Sequence, residues 1–242
     1  MLERSLISYE KQTEKDFEII AISDDCTDGT YEMLRAWQKK LDIKIITLSK
    51  EPGKWRDCSS IINLGISMSR GRVCILTQPE VIPGLDVVKI AAQTEDWQWI
   101  GFKPYWLQQE IQDKIDLYPW REFGPIAFRQ HPGFYDLPSV NVTEEYAHRS
   151  MENHSIWQSW TIGAMTRKTL FEIGGLQEYE LWGTVDVDFM HRRAILEIPT
   201  ITPMEDSALC AHQWHESPRH MEASMAILKT YNTREEAILC NL

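Results

Sequence analysis

Apolar residues recur along this chain at two alternating spacings. Residues 2–12 carry theirs at helical spacing, which predicts an amphipathic helix. Residues 17–22 (Phe-Glu-Ile-Ile-Ala-Ile) form a short apolar run stopped by Ser23-Asp24-Asp25 and read as a buried strand. A turn at Cys26-Thr27-Asp28-Gly29-Thr30 leads into a helix over 31–40, and residues 43–48 form a second strand. Glu51-Pro52-Gly53 marks the next turn, before a helix over 57–68 whose apolar face includes Ile61, Ile62, Leu64 and Ile66. A third strand over 73–76 stops at Thr77-Gln78-Pro79-Glu80, and a helix follows over 86–94. Beyond it the pattern loosens. Residues 97–160 hold five prolines among interleaved aromatics, too long and too apolar for a linker, and are expected to form a substrate-facing region of loops and short elements. Order returns as a strand over 156–165, a helix over 167–173 ending at Gly174, and a helical run around Phe189 to Leu196. The polar tail from Glu216 predicts one more helix, over 221–230.

Strand–helix alternation with short connections is the mark of βαβ units, so the expected class is α/β, with a mostly parallel central sheet flanked by helices. Right-handed crossovers place the strand C-termini on one edge, where open α/β sheets bind ligands. Ser23-Asp24-Asp25 and Thr77-Gln78-Pro79-Glu80 both fall at such C-termini and are expected to share a crevice.

Composition narrows the function classes. With 242 residues, 43% hydrophobic and 25% charged, the chain can bury an ample core. A net charge of −11 argues against nucleic acid or an anionic membrane surface as the main partner. Five scattered cysteines, with no C-x-x-C pair, fit buried thiols in a reducing compartment, and a cytoplasmic location is expected. No apolar run approaches the length of a membrane span. Asn141 and Asn153 begin N-x-S/T triplets, read as chance matches.

The richest stretch runs from Ile173 to Arg192: I-G-G-L-Q-E-Y-E-L-W-G-T-V-D-V-D-F-M-H-R. Asp186 falls in the first turn of the helix predicted there, where the macrodipole favours an ionised carboxylate. It can be read as a helix cap or as a catalytic base. Together with F-E-I-I-A-I-S-D-D-C-T-D-G-T and the helix containing Asn63-Leu64-Gly65, the stretch resembles the inverting glycosyltransferases of family 2. In that family the counterparts read D-D-G-S-T-D-G-T and G-G-F-D-E-x-F-x-G-W-G-x-E-D-x-D-L-x-x-R, in the same order, over most of residues 2–215.

The resemblance implies a Rossmann-like GT-A fold in which residues 1–98 bind the nucleotide sugar, 99–215 form the acceptor-binding and catalytic half, and 216–242 a helical tail. It implies a nucleotide-diphosphate sugar donor, of UDP type, and transfer of a hexosyl or N-acetylhexosaminyl group to a glycan hydroxyl with inversion, as in polysaccharide biosynthesis. Asp24 matches the carboxylate that accepts a hydrogen bond from the base, and Asp28 is the better candidate for the turn-forming residue beside it. Lys54 and Arg56 are candidates to neutralise the diphosphate, or belong to a solvated loop. Glu80 stands at the last acid of the family's D-x-D and is a candidate ligand for a divalent cation, Mn²⁺ or Mg²⁺. His215 is the candidate imidazole ligand, with His212 read as structural. Asp186 matches the base, and Trp182 is placed to stack on the acceptor or to pack.

Three features depart from the family. The chain begins at the helix that follows the family's usual first strand, so that strand is expected to be missing. Gln78 replaces one acid of the D-x-D, and Val185 replaces the Glu before Asp186. A catalytically inactive domain that binds nucleotide or glycan is the alternative these departures support. A nucleotidyltransferase is disfavoured by the lack of a Gly-rich basic loop.

Overall fold

The computed structural model of the chain describes residues 1–50, 56–102, 104–107, 109–130, 162–179, 185–215 and 231–242. The chain is mixed α/β and divides into two compact units that alternate in sequence. Met1–Lys15, Ile75–Met165 and Thr200–Ser217 make the first, and Asp16–Cys74, Thr166–Pro199 and Pro218–Leu242 the second.

In the second unit, strands β1 (Ile19–Asp24) and β2 (Ile43–Leu48) pair in parallel from Ile19↔Ile43 to Asp24↔Leu48. The crossover is helix α2 (Thr30–Trp37), which turns Leu34 and Trp37 inward. Gly29 enters it with a left-handed backbone (φ 81°), a conformation glycine adopts without steric cost. Asp28 accepts the Thr30 amide at 3.2 Å and so forms the turn, as expected. Helix α3 (Cys58–Met68) packs on β1.

Strand β3 (Val73–Thr77) leads into the first unit. Helix α1 (Leu2–Glu10), β4 (Val81–Ile82) and α4 (Val87–Ala91) lie in that unit, as do β5 (Trp99–Gly101) and β6 (Pro104–Trp106). Two one-turn helices, α5 (Gln109–Gln112) and α6 (Trp120–Phe123), come next. Ile82, Leu107, Ile111, Ile115, Trp120 and Phe128 form a core beneath β4. Burying side chains of this size is worth roughly 1.5–3 kcal/mol each. Buried serines on α1 face the turns around β4: Ser5 Oγ donates to the Pro79 carbonyl at 2.7 Å and Ser8 Oγ to that of Pro83 at 2.5 Å. Their spacing of three puts both hydroxyls on one helix face.

Among the described residues, β7 (Ile162–Thr166), α7 (Arg167–Glu172) and α8 (Val185–Ile195) follow. Strands β8 (Thr200–Ile201) and β9 (Cys210–His212) complete the described set. Among the described residues the strands form sheets of two, four and three members, ordered β1-β2, β3-β7-β5-β8 and β4-β9-β6. Pairs β1–β2, β5–β8 and β6–β9 are parallel, whereas β4–β9 and β5–β7 are antiparallel. Apolar runs reveal buried strands but not their direction, which is why the mixed pairing was not legible in them. The expected helix over 221–230 and residues 156–161 of the expected strand lie outside the described residues.

Candidate functional site

In the first unit, Glu80 ends the turn after β3 and His212 ends β9. Antiparallel pairing sets Val81 opposite His212 and so brings Glu80 beside it. The Gln213 amide and its Nε2 both donate to the Glu80 carbonyl, at 3.1 and 3.0 Å, which fixes the two segments against each other. His212 Nε2 lies 3.4 Å from Glu80 Oε1, and His215 Nε2 lies 3.6 Å from the same oxygen. The two rings stand 5.2 Å apart. His212 is buried, while Glu80 and His215 are partly open. Burial alone would raise the Glu80 carboxyl. The hydrogen bond from His212, Glu80's own backbone and the charges of His212 and His215 outweigh it, and the carboxyl is held below its ordinary value. One carboxylate and two imidazoles thus offer ligand atoms within 4.8 Å of one another. His212, expected to be structural, belongs to this cluster as fully as His215. The H-x-x-H spacing was its only signal in the sequence.

In the second unit, Asp24 ends β1 and Arg56 precedes α3, and the two form an ion pair. Arg56 Nη2 also donates to the Ser49 carbonyl at 2.7 Å. Asp24 is therefore paired with a guanidinium, and the turn is made by Asp28 instead. Lys54 lies outside the described residues, as does Trp182.

Asp186 occupies the first turn of α8, as expected, and is half-buried. It lies close enough to Cys58 to perturb it electrostatically. Burial first, then the carboxylates of Asp57 and Asp186, push the Cys58 thiol up to about 12. A thiol so raised stays protonated at neutral pH, which removes Cys58 as a nucleophile. Val185, where the family has Glu, is buried. Asp57 does not cap α3 with its side chain; it accepts from Ser59 Oγ and, at 2.7 Å, from the Tyr179 amide. Asp188 is buried beside two phenols, and burial, partly offset by their hydrogen bonds, holds its carboxyl above the ordinary range.

The loop before α8 depends on its two glycines. Gly174 and Gly175 both have left-handed backbones (φ 74° and 71°). An added Cβ would lie 1.8 Å from the Leu239 carbonyl oxygen at Gly174, and 2.5 Å from Asn63 Oδ1 at Gly175. Asn63 bridges α3 to this loop, accepting the Leu176 amide at 2.8 Å and donating to its carbonyl at 2.9 Å.

Comparison with known proteins finds similarity to one sequence family and to solved glycosyltransferase structures. The sequence model of glycosyl transferase family 2 matches residues 1–77. No curated protein matches the sequence at a significant level. Among known structures, Staphylococcus aureus TarS 1-349 in complex with UDP-GlcNAc is similar, with a TM-score of 0.60 and 16% identity over 92% of this chain and 57% of that one. The mannosyltransferase PcManGT from Pyrobaculum calidifontis, in complex with GDP-Man and Mn²⁺, gives a TM-score of 0.54 and 16% identity over 87% of this chain and 52% of that one. The chain thus spans little more than half the length of these structures. Its fold is that of the GT-A glycosyltransferases.

Proposed function

We propose that this chain transfers a sugar from a nucleotide-diphosphate donor, of UDP type, to a glycan hydroxyl with inversion at the anomeric carbon. The observation that carries the proposal is Glu80 set against two imidazoles on a fold shared with nucleotide-sugar enzymes. The donor set fits a divalent cation, since carboxylate oxygen and imidazole nitrogen together suit Mn²⁺ better than they suit Mg²⁺. Glu80, His212 and His215 would hold it, and its chemistry would be to neutralise the diphosphate that leaves.

The remaining roles belong to the chain's own side chains. Asp24 accepts the ring N–H of the base, and Arg56, its partner before binding, supplies positive charge to the nucleotide with Lys54. Asp186 accepts the proton of the acceptor hydroxyl as that oxygen attacks. A positioned base contributes roughly 10²–10⁴-fold to such a step. Trp182 offers a flat face to the acceptor ring. The described helices include none long and apolar enough to cross a membrane. The scattered cysteine pattern fits a reducing compartment, and action in the cytoplasm is part of the proposal.

A second reading is a catalytically inactive domain that binds nucleotide or glycan. Neutral Gln78 and buried Val185, each standing where the family has an acid, favour it. Incubation of the purified chain with Mn²⁺ and a panel of UDP-glucose, UDP-galactose, UDP-GlcNAc and GDP-mannose separates the two. Release of nucleoside diphosphate is expected, with Asp186→Asn lowering the rate about 10²-fold or more. Undiminished release by Asp186→Asn would refute its role as base.

A further inference from the structure

The C-terminal segment 231–242 is bound to the helix that carries Asp186 through side chains the reaction above does not use. Asp188, in the first turn of α8, is 1% exposed. Its Oδ1 accepts from the Tyr179 hydroxyl at 2.6 Å and from the Tyr231 hydroxyl at 2.7 Å. Its Oδ2 is buried and makes no hydrogen bond among the described residues. One turn later Arg192, also fully buried, gives three hydrogen bonds to backbone carbonyls: Nη2 to Ile173 and Nη1 to Gly175, each at 2.6 Å, and Nε to Ala237 at 2.8 Å. The same segment returns to that loop through the Leu239 amide on the Ile173 carbonyl (2.9 Å) and Asn241 Nδ2 on the Leu176 carbonyl (2.7 Å).

Asp188 and Arg192 are four residues apart and so share a helix face. Fixing both inward sets the rotation of α8 about its own axis. Asp186 lies two residues earlier, roughly 200° around the helix, and is only half-buried. Two phenols aimed at one carboxylate oxygen also fix that carboxylate's torsion, which a single donor would leave free. A well-packed apolar residue would fill this place without an unpaired buried oxygen, so simple packing does not account for the choice of Asp.

We propose that Asp188 and Tyr231 are positioning residues, and that the hydrogen bond from Tyr231 sets the direction in which α8 presents Asp186. This rests on the reading of Asp186 as the base. It makes the C-terminal segment part of the catalytic apparatus, although none of its residues is assigned to touch substrate. What matters is the acceptor atom at position 188, so an amide oxygen there should serve nearly as well as a carboxylate.

The test compares wild type with Tyr231→Phe, Asp188→Asn and Asp188→Ala in two measurements. The first is release of nucleoside diphosphate from UDP-GlcNAc and GDP-mannose with Mn²⁺ and water as acceptor. The second is hydrogen–deuterium exchange of the first-turn amides of α8, which needs no substrate. Tyr231→Phe keeps the ring and should lower kcat by up to ~10²-fold, the effect of about 1 Å of misplacement, with donor KM unchanged. Exchange in that turn should quicken. Asp188→Ala should behave alike, and Asp188→Asn should recover most of both losses.

Unchanged exchange in Tyr231→Phe overturns the proposal. So does a kcat within about twofold of wild type, or a loss confined to KM. Failure of Asp188→Asn to recover more than Asp188→Ala does so as well. A wild type that releases no nucleotide refutes the functional reading instead, and exchange alone then decides whether Tyr231 fixes the helix.

Discussion

His212 shows what a single residue adds to the proposed cation site. Loss of a partner beyond the immediate ligands weakens a metal by ~10–100-fold, so loss of a ligand should cost at least as much. His212→Ala is therefore expected to weaken Mn²⁺ binding by that factor or more, measured from the electron paramagnetic resonance signal of free Mn²⁺. Affinity equal to wild type would remove His212 from the set. Gly174 makes the same point for backbone geometry. A left-handed non-glycine residue costs roughly 1–2 kcal/mol, and Gly174→Ala also drives Cβ into the Leu239 carbonyl. Its denaturant midpoint should fall by more than that strain alone explains, and a fall no larger would show that the segment can move aside. At this scale the sequence was only partly readable. Asp28 could be told from Asp24 because an Asx turn is local chemistry. The pairing of Asp24 with Arg56 depends on a crossover that folds a distant loop back, and no local signal reports it.

Elements were more legible than their joints. The Ile43–Leu48 strand and the Cys58–Met68 helix lie where apolar spacing puts them, because each buries a stripe its own sequence defines. What ties them together is polar and long-range. Glu18, at the start of the β1 region, accepts from the Arg70 amide at 2.6 Å and from Arg70 Nε at 2.9 Å. Burial opposes ionisation, but the Arg70 bonds and charge prevail and hold its carboxyl below the ordinary value. A depressed carboxyl stabilises the fold above its unfolded pKa, and that contribution is lost as pH falls through the folded one. Glu18→Gln should therefore lower the melting temperature at neutral pH, with the gap to wild type closing on acidification. A constant gap across the acid range would contradict the assignment. Arg192 works on the same principle at α8. Arg192→Ala removes the guanidinium donor from the buried Gly175 and Ala237 carbonyls, while the Ile173 carbonyl keeps the Leu239 amide, a loss of roughly 2 kcal/mol or more. Chemical denaturation measures it, and a loss below about 1 kcal/mol would mean that water or another donor replaces the guanidinium.

At the scale of the whole molecule, the sequence motifs and the compact units follow different boundaries. The family pattern matches residues 1–77, yet Asp24 and Asp186 belong to one unit and Glu80, His212 and His215 to the other. Strand and helix alternation announced an α/β fold, since layering follows from periodicity. The interleaving was hidden because it arises from long-range contacts that hydropathy does not encode. Glu80 was legible from its position after a strand, whereas its two imidazole neighbours come from a segment far along the chain. The proposed transfer requires that the chain bind a nucleotide diphosphate although Gln78 and Val185 stand where acids were expected. Calorimetric titration of the purified chain with UDP, in the presence and absence of Mn²⁺, tests this directly. The expected result is micromolar binding that requires the metal. No heat of binding under either condition would contradict it.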